Sequence, residues 1–162
     1  MNIFVLHRDP RIAAQMACNS HICKMSVEST QLLATVARQH GLSVTYRPTH
    51  INNPCTLWVA RSKDNYEWLL AHGIALAEEY TLRYKRIHLS AQYLEGELSK
   101  CPDSIPRIGL TPFVQCMPEE YKHEDAIIAY RTFYLKDKVR FAKWSVRDEP
   151  PWFTYEQPDL EY

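Results

Sequence analysis

The chain has 162 residues, enough for one domain with a single sizeable core. Hydrophobic residues make up 46% and charged residues 23%, which excludes a disordered chain; a formal net charge of zero excludes a global basic footprint for nucleic acid. No apolar run approaches the ~18 residues of a membrane helix, no signal peptide is legible, and five cysteines without C-x-x-C spacing fit reduced thiols in a cytosol better than a disulfide framework or a zinc site.

"NIFVL" reads as one short strand or extended segment, broken by "RDP", where Asp9 or Pro10 starts a helix from about Arg11. The apolar period carries helix to about His40, with a break allowed near Asn19–Ser20 and Gly41 as the C-cap. "LSVTYRPTHINNPCT" is a loop punctuated by Pro48 and Pro54, and helix resumes near Cys55. "SKDNYEWLLAHGIALAEEYTLRYKR" is a long helix, and a shorter one is expected over Leu89–Ser99. "CPDSIPRIGLTPFVQCMPEEYK" is irregular, a last helix is expected from about His123 to Trp144, and the tail "RDEPPWFTYEQPDLEY" is aromatic, extended and packed on the body. The expected class is therefore all-α: one domain over residues 1–162, with four to five helices, a short N-terminal extended segment and an aromatic C-terminal tail.

Four constellations carry chemistry. On the helix "SHICKMSVESTQLL", His21, Lys24, Glu28 and Gln31 fall within about 80° of arc, bordering an apolar face of Ile22, Met25, Leu32, Leu33 and Val36. A carboxylate beside a cation suits acid–base or charge-stabilising work, and equally an i,i+4 ion pair on a helix flank. On the long helix, Trp68, His72, Glu79 and Arg83 share a face with Leu76, which reads chiefly as a structural His–Glu–Arg network. The loop before Cys55 offers His50, Asn52 and Asn53, as ligand contacts or as turn and capping residues. Finally, Arg131, Lys136, Lys138, Arg140, Lys143 and Arg147 face the single acid Asp137 in a stretch interleaved with aromatics. Cations of this kind meet phosphates and such rings stack on bases, while an amphipathic helix would bear the same pattern.

Together these pieces resemble the pyrimidine-dimer DNA glycosylases of the phage endonuclease V type, and more closely uncharacterised phage and bacterial relatives of them. The resemblance rests on the short apolar N-terminus, His21 and Glu28 seven residues apart, Lys24–Glu28–Gln31, "NNPCTLW", "EEYTLRYKR" and "PPWFTY". It covers about the first ninety residues and the tail. It implies that the α-amine of the N-terminal residue attacks the sugar C1′ of the damaged nucleotide, with Glu28 assisting and then promoting β-elimination. Because Asn2 is bulky, Met1 is retained and the amine is that of Met1. Such an amine is partly unprotonated near neutral pH and so nucleophilic, and a carboxylate stabilises charge developing at C1′.

The expectation is a phage-type DNA-processing enzyme in the host cytoplasm that acts on a flipped damaged or modified base, as a glycosylase with AP-lyase activity as its extension. Glu28, Met1 and His21 are its catalytic candidates. Lys24, Gln31, His50, Asn52, Asn53, Arg131, Lys136, Lys138 and Lys143 are its DNA-binding candidates. Neither metal nor cofactor is called for, DNA is the partner, and no membrane is involved. Two alternatives stay open: a base-hypermodifying transferase on the same scaffold, and a non-catalytic nucleic-acid or host-protein binder.

Overall fold

In the computed structural model, which describes residues 1–154, Asp9 opens the first helix, α1 (Pro10–Met16). Its carboxylate accepts from the backbone N–H groups of Arg11 and Ile12, and Pro10 occupies a position where no N–H is needed. Five further α-helices follow: α2 (Asn19–Gln39), α3 (Pro54–Arg61), α4 (Lys63–Tyr84), α5 (Ser90–Glu95) and α6 (Ala126–Phe133). No strand is present among the described residues, so the fold is all-α. None of these helices is long and apolar enough to cross a membrane.

Helix α4 is the central element and packs against α1, α2, α3 and α5. It can approach α2 and α5 closely because residue 73 is glycine: a Cβ there would stand 3.2 Å from both Ser29 Cβ and Leu94 Cδ1. Leu32, Leu33, Val36, Leu69, Leu76 and Leu94 fill the space around this contact. At the end of α2, Gly41 takes φ +83°, a left-handed conformation that glycine adopts without a Cβ penalty.

The helical stretch expected from Arg11 to His40, with a break allowed near Asn19–Ser20, is broken one to two residues earlier, at Ala17–Cys18, where both residues are extended. The corner survives because its freed carbonyls find donors. Arg83 donates to the carbonyls of Gln15 and Ala17 and to Asn19 Oδ1, and Trp144 Nε1 donates to the Met16 carbonyl. Arg83 is itself paired with Glu79, which also takes Arg147. Burial raises the Glu79 pKa, but hydrogen bonds from Arg147 and Arg83 outweigh it and leave the carboxyl below its usual range. Glu79 and Arg83 are thus the structural network anticipated on this helix. His72 stands outside it, with Nδ1 on the Pro10 carbonyl at 2.9 Å and its ring stacked on Trp68.

Ile3–Leu6 are buried and lie outside any helix, yet pair with no strand among the described residues. Side chains satisfy this backbone instead. Asn2 N–H donates to Glu28, Ile3 N–H to Asn2 Oδ1, and the Leu6 carbonyl accepts from Arg131 Nε. Phe4 sits at φ +58°, a conformation costing a bulky residue about 1–2 kcal/mol. Its ring is held against His21, Tyr130, Phe133 and Tyr134.

Two expected helices are shorter than their patterns. Helix α5 ends at Glu95, because Gly96 takes φ −99° and ψ −110°, outside helical geometry; Glu97 beyond it reaches the loop after α2, where its carboxylate accepts from Thr45 N–H and Oγ1. The helix expected over His123–Trp144 begins at Ala126, capped by Asp125, and ends at Phe133. A π-helical turn, Tyr134–Lys138, follows it, and residues 139–154 carry no helix or strand. This non-helical stretch is tied to the start of α2, where the Lys143 carbonyl accepts from Asn19 N–H. Trp152 and Phe153 pack onto the body, as expected for the tail; its remaining residues, 155–162, lie outside the described residues.

Candidate functional site

The apolar face of α2 is buried as its period requires, and this fixes the orientation of the flank that carries Glu28. The Glu28 side chain is 13% exposed, with Oε2 accepting from Asn2 N–H at 2.8 Å and Oε1 3.6 Å from Lys24 Nζ. Asn2 N–H is one residue, about 3.8 Å of Cα path, from the terminal amine. Carboxylate, exposed ammonium and chain start therefore share one neighbourhood.

Asn2 is the clamp. Its Nδ2 donates to the Cys116 carbonyl at 2.6 Å, and its Oδ1 accepts from Ile3 N–H. Tyr130 Oη lies 2.8 Å from both Asn2 Oδ1 and the Val114 carbonyl, serving one at a time with its single proton. Asn53 caps α3 through Oδ1 and reaches the Met1 carbonyl through Nδ2 at 3.4 Å. Four separate parts of the chain, α2, the Asn53 cap, the 114–116 segment and α6, thus hold the first two residues.

Two cysteines complete this neighbourhood. Cys55, in the first turn of α3, is buried, and its Sγ lies 3.4 Å from Cys116 Sγ, which is part-exposed. The hydrogen bond between them splits the pair. It holds Cys116 down to about 7, helped by the Met1 ammonium and Lys122 against burial, and pushes Cys55 well above the usual thiol range.

The sequence-predicted residues separate into three groups. Met1, Lys24, Glu28 and Asn53 come together. Gln31 follows Glu28 by one turn of α2 and is half-buried; His50 and Asn52 lie exposed in the loop before α3, with His50 Nδ1 on Thr49 Oγ1. His21 does not line the open face. Its ring turns inward among Phe4, Tyr134 and Phe141, and Nδ1 lies 2.5 Å from Tyr134 Oη. Burial, then the positive charges of Lys138 and Lys24, lowers its pKa to about 3, so the ring is neutral at physiological pH.

The basic stripe is also divided. Arg131 is drawn to the Leu6 carbonyl and lies over the Trp152 ring, and Lys138 pairs with Asp137 while lying 4.4 Å from the Phe133 ring centroid. Lys136, Arg140 and Lys143 remain exposed. The clamping role of Asn2 and Tyr130 and the pairing of Cys55 with Cys116 went unread at sequence level, because they depend on contacts between residues far apart in the chain, 128 positions for Tyr130–Asn2 and 61 for Cys55–Cys116.

A cavity of about 610 Å³ opens beside α3, walled by Pro54, Leu57, Trp58, Arg61, Pro112 and Val114. Its rim residues Pro54 and Val114 adjoin Asn53, Cys55 and the segment leading to Cys116. Neither Met1 nor Glu28 is in its wall, nor in the walls of three further cavities. No family model, no curated protein and no solved structure matches this chain.

Proposed function

We propose that this protein is a DNA-processing enzyme that acts on a flipped damaged or modified base, with the Met1 amine as nucleophile and Glu28 as its charged partner. The observation that carries this reading is the Asn2–Glu28 hydrogen bond. A carboxylate on a packed helix is fixed to the start of the chain, which is the arrangement that amine catalysis at C1′ requires.

In this reading the Met1 nitrogen forms a bond to C1′ as the glycosidic C–N bond breaks, and the base departs with the electron pair and is protonated. Glu28 stabilises the positive charge that builds on the sugar during this step. The Met1 nitrogen then gives up a proton, the C1′–O4′ bond breaks as O4′ takes one up, and the resulting protonated imine acidifies C2′, so that loss of a C2′ proton expels the 3′ phosphate by β-elimination. The exposed Lys24, Lys136 and Lys143 meet backbone phosphates. The cavity beside α3, with Trp58 and Leu57 in its wall, has the size and apolar character to take an extruded base.

The test is incubation of the protein with duplexes bearing varied damaged and modified bases in the presence of borohydride. A covalent adduct on the peptide that contains Met1 is the expected result. An intact, heavier nucleoside with no adduct would instead mark a base-modifying transferase, and binding that is indifferent to Glu28 would mark a non-catalytic binder.

A further inference from the structure

Five free cysteines are distributed unevenly in the fold. Cys18, Cys23 and Cys101 have no cysteine partner among the described residues, whereas Cys55 and Cys116 touch through sulfur at 3.4 Å. One of the two is part-exposed and the other is sealed beneath it. We infer that Cys116 and Cys55 form a thiol–disulfide exchange site, in which Cys116 meets a small disulfide such as oxidised glutathione and Cys55 resolves the adduct into an internal cross-link. This inference does not rest on the DNA reading.

The chemistry closes with the two thiols and one external disulfide. The Cys116 thiolate attacks one sulfur of the disulfide, the external S–S bond breaks, and one thiolate leaves and takes up a proton. Cys55 then gives up its proton and attacks Cys116 Sγ. The mixed S–S bond breaks and the second external thiol departs. Two protein thiols are oxidised, and one external disulfide is reduced to two thiols.

The surroundings assign the order of events. Cys116 is the part-exposed residue of the two, and it holds the thiolate because Cys55 donates to it and because Met1 and Lys122 are positive neighbours. Glu28 and Tyr130 also lie near the pair: the Glu28 charge opposes a thiolate at Cys55, and the Met1 ammonium favours one there. Once Cys116 is capped it no longer carries charge, and the Met1 ammonium is then left to help Cys55 ionise. Closure to a disulfide requires the sulfurs to approach from 3.4 Å to about 2.05 Å. The Cys116 backbone is held at its carbonyl by Asn2 and at its N–H by Tyr130, so this small approach falls on the two side chains. The cross-link would staple the first turn of α3 to the segment that holds Asn2.

The test treats the full-length protein with oxidised glutathione and follows intact mass and a non-reducing peptide map. The wild-type protein is expected to lose two hydrogens, retain no glutathionyl group and yield a Cys55–Cys116 linked peptide. Cys55→Ser should stop at one glutathionyl group on Cys116, and Cys116→Ser should leave Cys55 unmodified. Alkylation of Cys116 in the untreated wild type should rise with pH about a midpoint near 7. A glutathionyl group that settles on Cys23 while Cys55 and Cys116 stay reduced overturns the inference, and so does a stable mixed disulfide at Cys116 in the wild type. Both outcomes are read on the wild-type protein, so neither depends on the variants folding.

Discussion

The Tyr134 hydroxyl stands 2.5 Å from His21 Nδ1 inside a cage of aromatic rings, joining α2 to the turn that follows α6. A proton on that imidazole would be buried beside Lys138 and Lys24, so the folded protein refuses it. His72 is likewise held neutral, its pKa lowered by burial to about 4 despite the carbonyls of Pro10 and Ile3.

Two buried neutral histidines set a pH dependence. The unfolded chain protonates both as pH falls through about 6.5, whereas the folded chain does so only near 3 and 4. Stability is therefore expected to fall with decreasing pH below about 6.5, by up to about 1.4 kcal/mol per pH unit for each histidine. Urea midpoints measured between about pH 7 and about pH 5 check this. His21→Gln should remove roughly half of the slope, and an unchanged slope would place the effect elsewhere.

Glu28→Gln separates catalysis from scaffolding. The amide oxygen still accepts from Asn2 N–H, while the charge is lost. On the proposed chemistry, turnover should drop by ~10² or more, equivalent to ~2.7 kcal/mol of barrier. Folding stability should change by only about 1 kcal/mol. A variant that melts much lower yet turns over normally would show the carboxylate to be structural. Both quantities are to be measured on one preparation.

Glu79→Ala is expected to be among the most damaging changes in the chain. It would leave the Arg83 side chain, which has no exposed surface, without its counter-charge, and would release Arg147. A loss of about 3 kcal/mol or more in urea unfolding is expected. The lowered Glu79 pKa adds stability that is complete above the ordinary carboxylate range. That contribution fades as pH falls through the folded value, so the wild-type and variant curves should converge in acid.

Lys136→Ala with Lys143→Ala tests the phosphate contacts proposed for the exposed part of the stripe. Duplex binding should weaken, and the slope of log affinity against log salt should flatten by about 0.9 for each phosphate no longer neutralised. Lys138→Ala serves as a contrast, since its ammonium is already committed to Asp137 and the Phe133 ring. It should alter stability more than salt dependence.

Local chemistry was readable in the sequence wherever local forces decide the structure. Asp9–Pro10, Asn53–Pro54 and Gly41 mark helix ends because capping and φ preferences act within a turn. The buried face of α2 and the Glu79–Arg83 pair followed from helical spacing. The stretch after Tyr130 deceived for the converse reason. Its aromatic and basic residues recur at helical spacing, but Tyr134, Trp144 and the Lys143 carbonyl are claimed by the distant corner between α1 and α2. His21 has the same spacing as Lys24 and Glu28, yet nothing nearby in the chain announces the rings of Phe4, Tyr134 and Phe141 that draw it inward. The Cys55–Cys116 contact had no signal at all, since its partners belong to a helix start and a proline-rich segment far apart in the chain.

The run Ile3–Leu6 has the composition of an aggregation-prone β-segment, apolar and uncharged. In the native fold it offers no template to another chain, because all four residues are buried and its ends are held, by Glu28 at Asn2 N–H, by Asn2 at Ile3 N–H and by Arg131 at the Leu6 carbonyl. Those three side chains therefore act as gatekeepers at a distance, guarding a segment that carries no charge of its own. Local opening at the chain start would bare this uncharged apolar run to other chains.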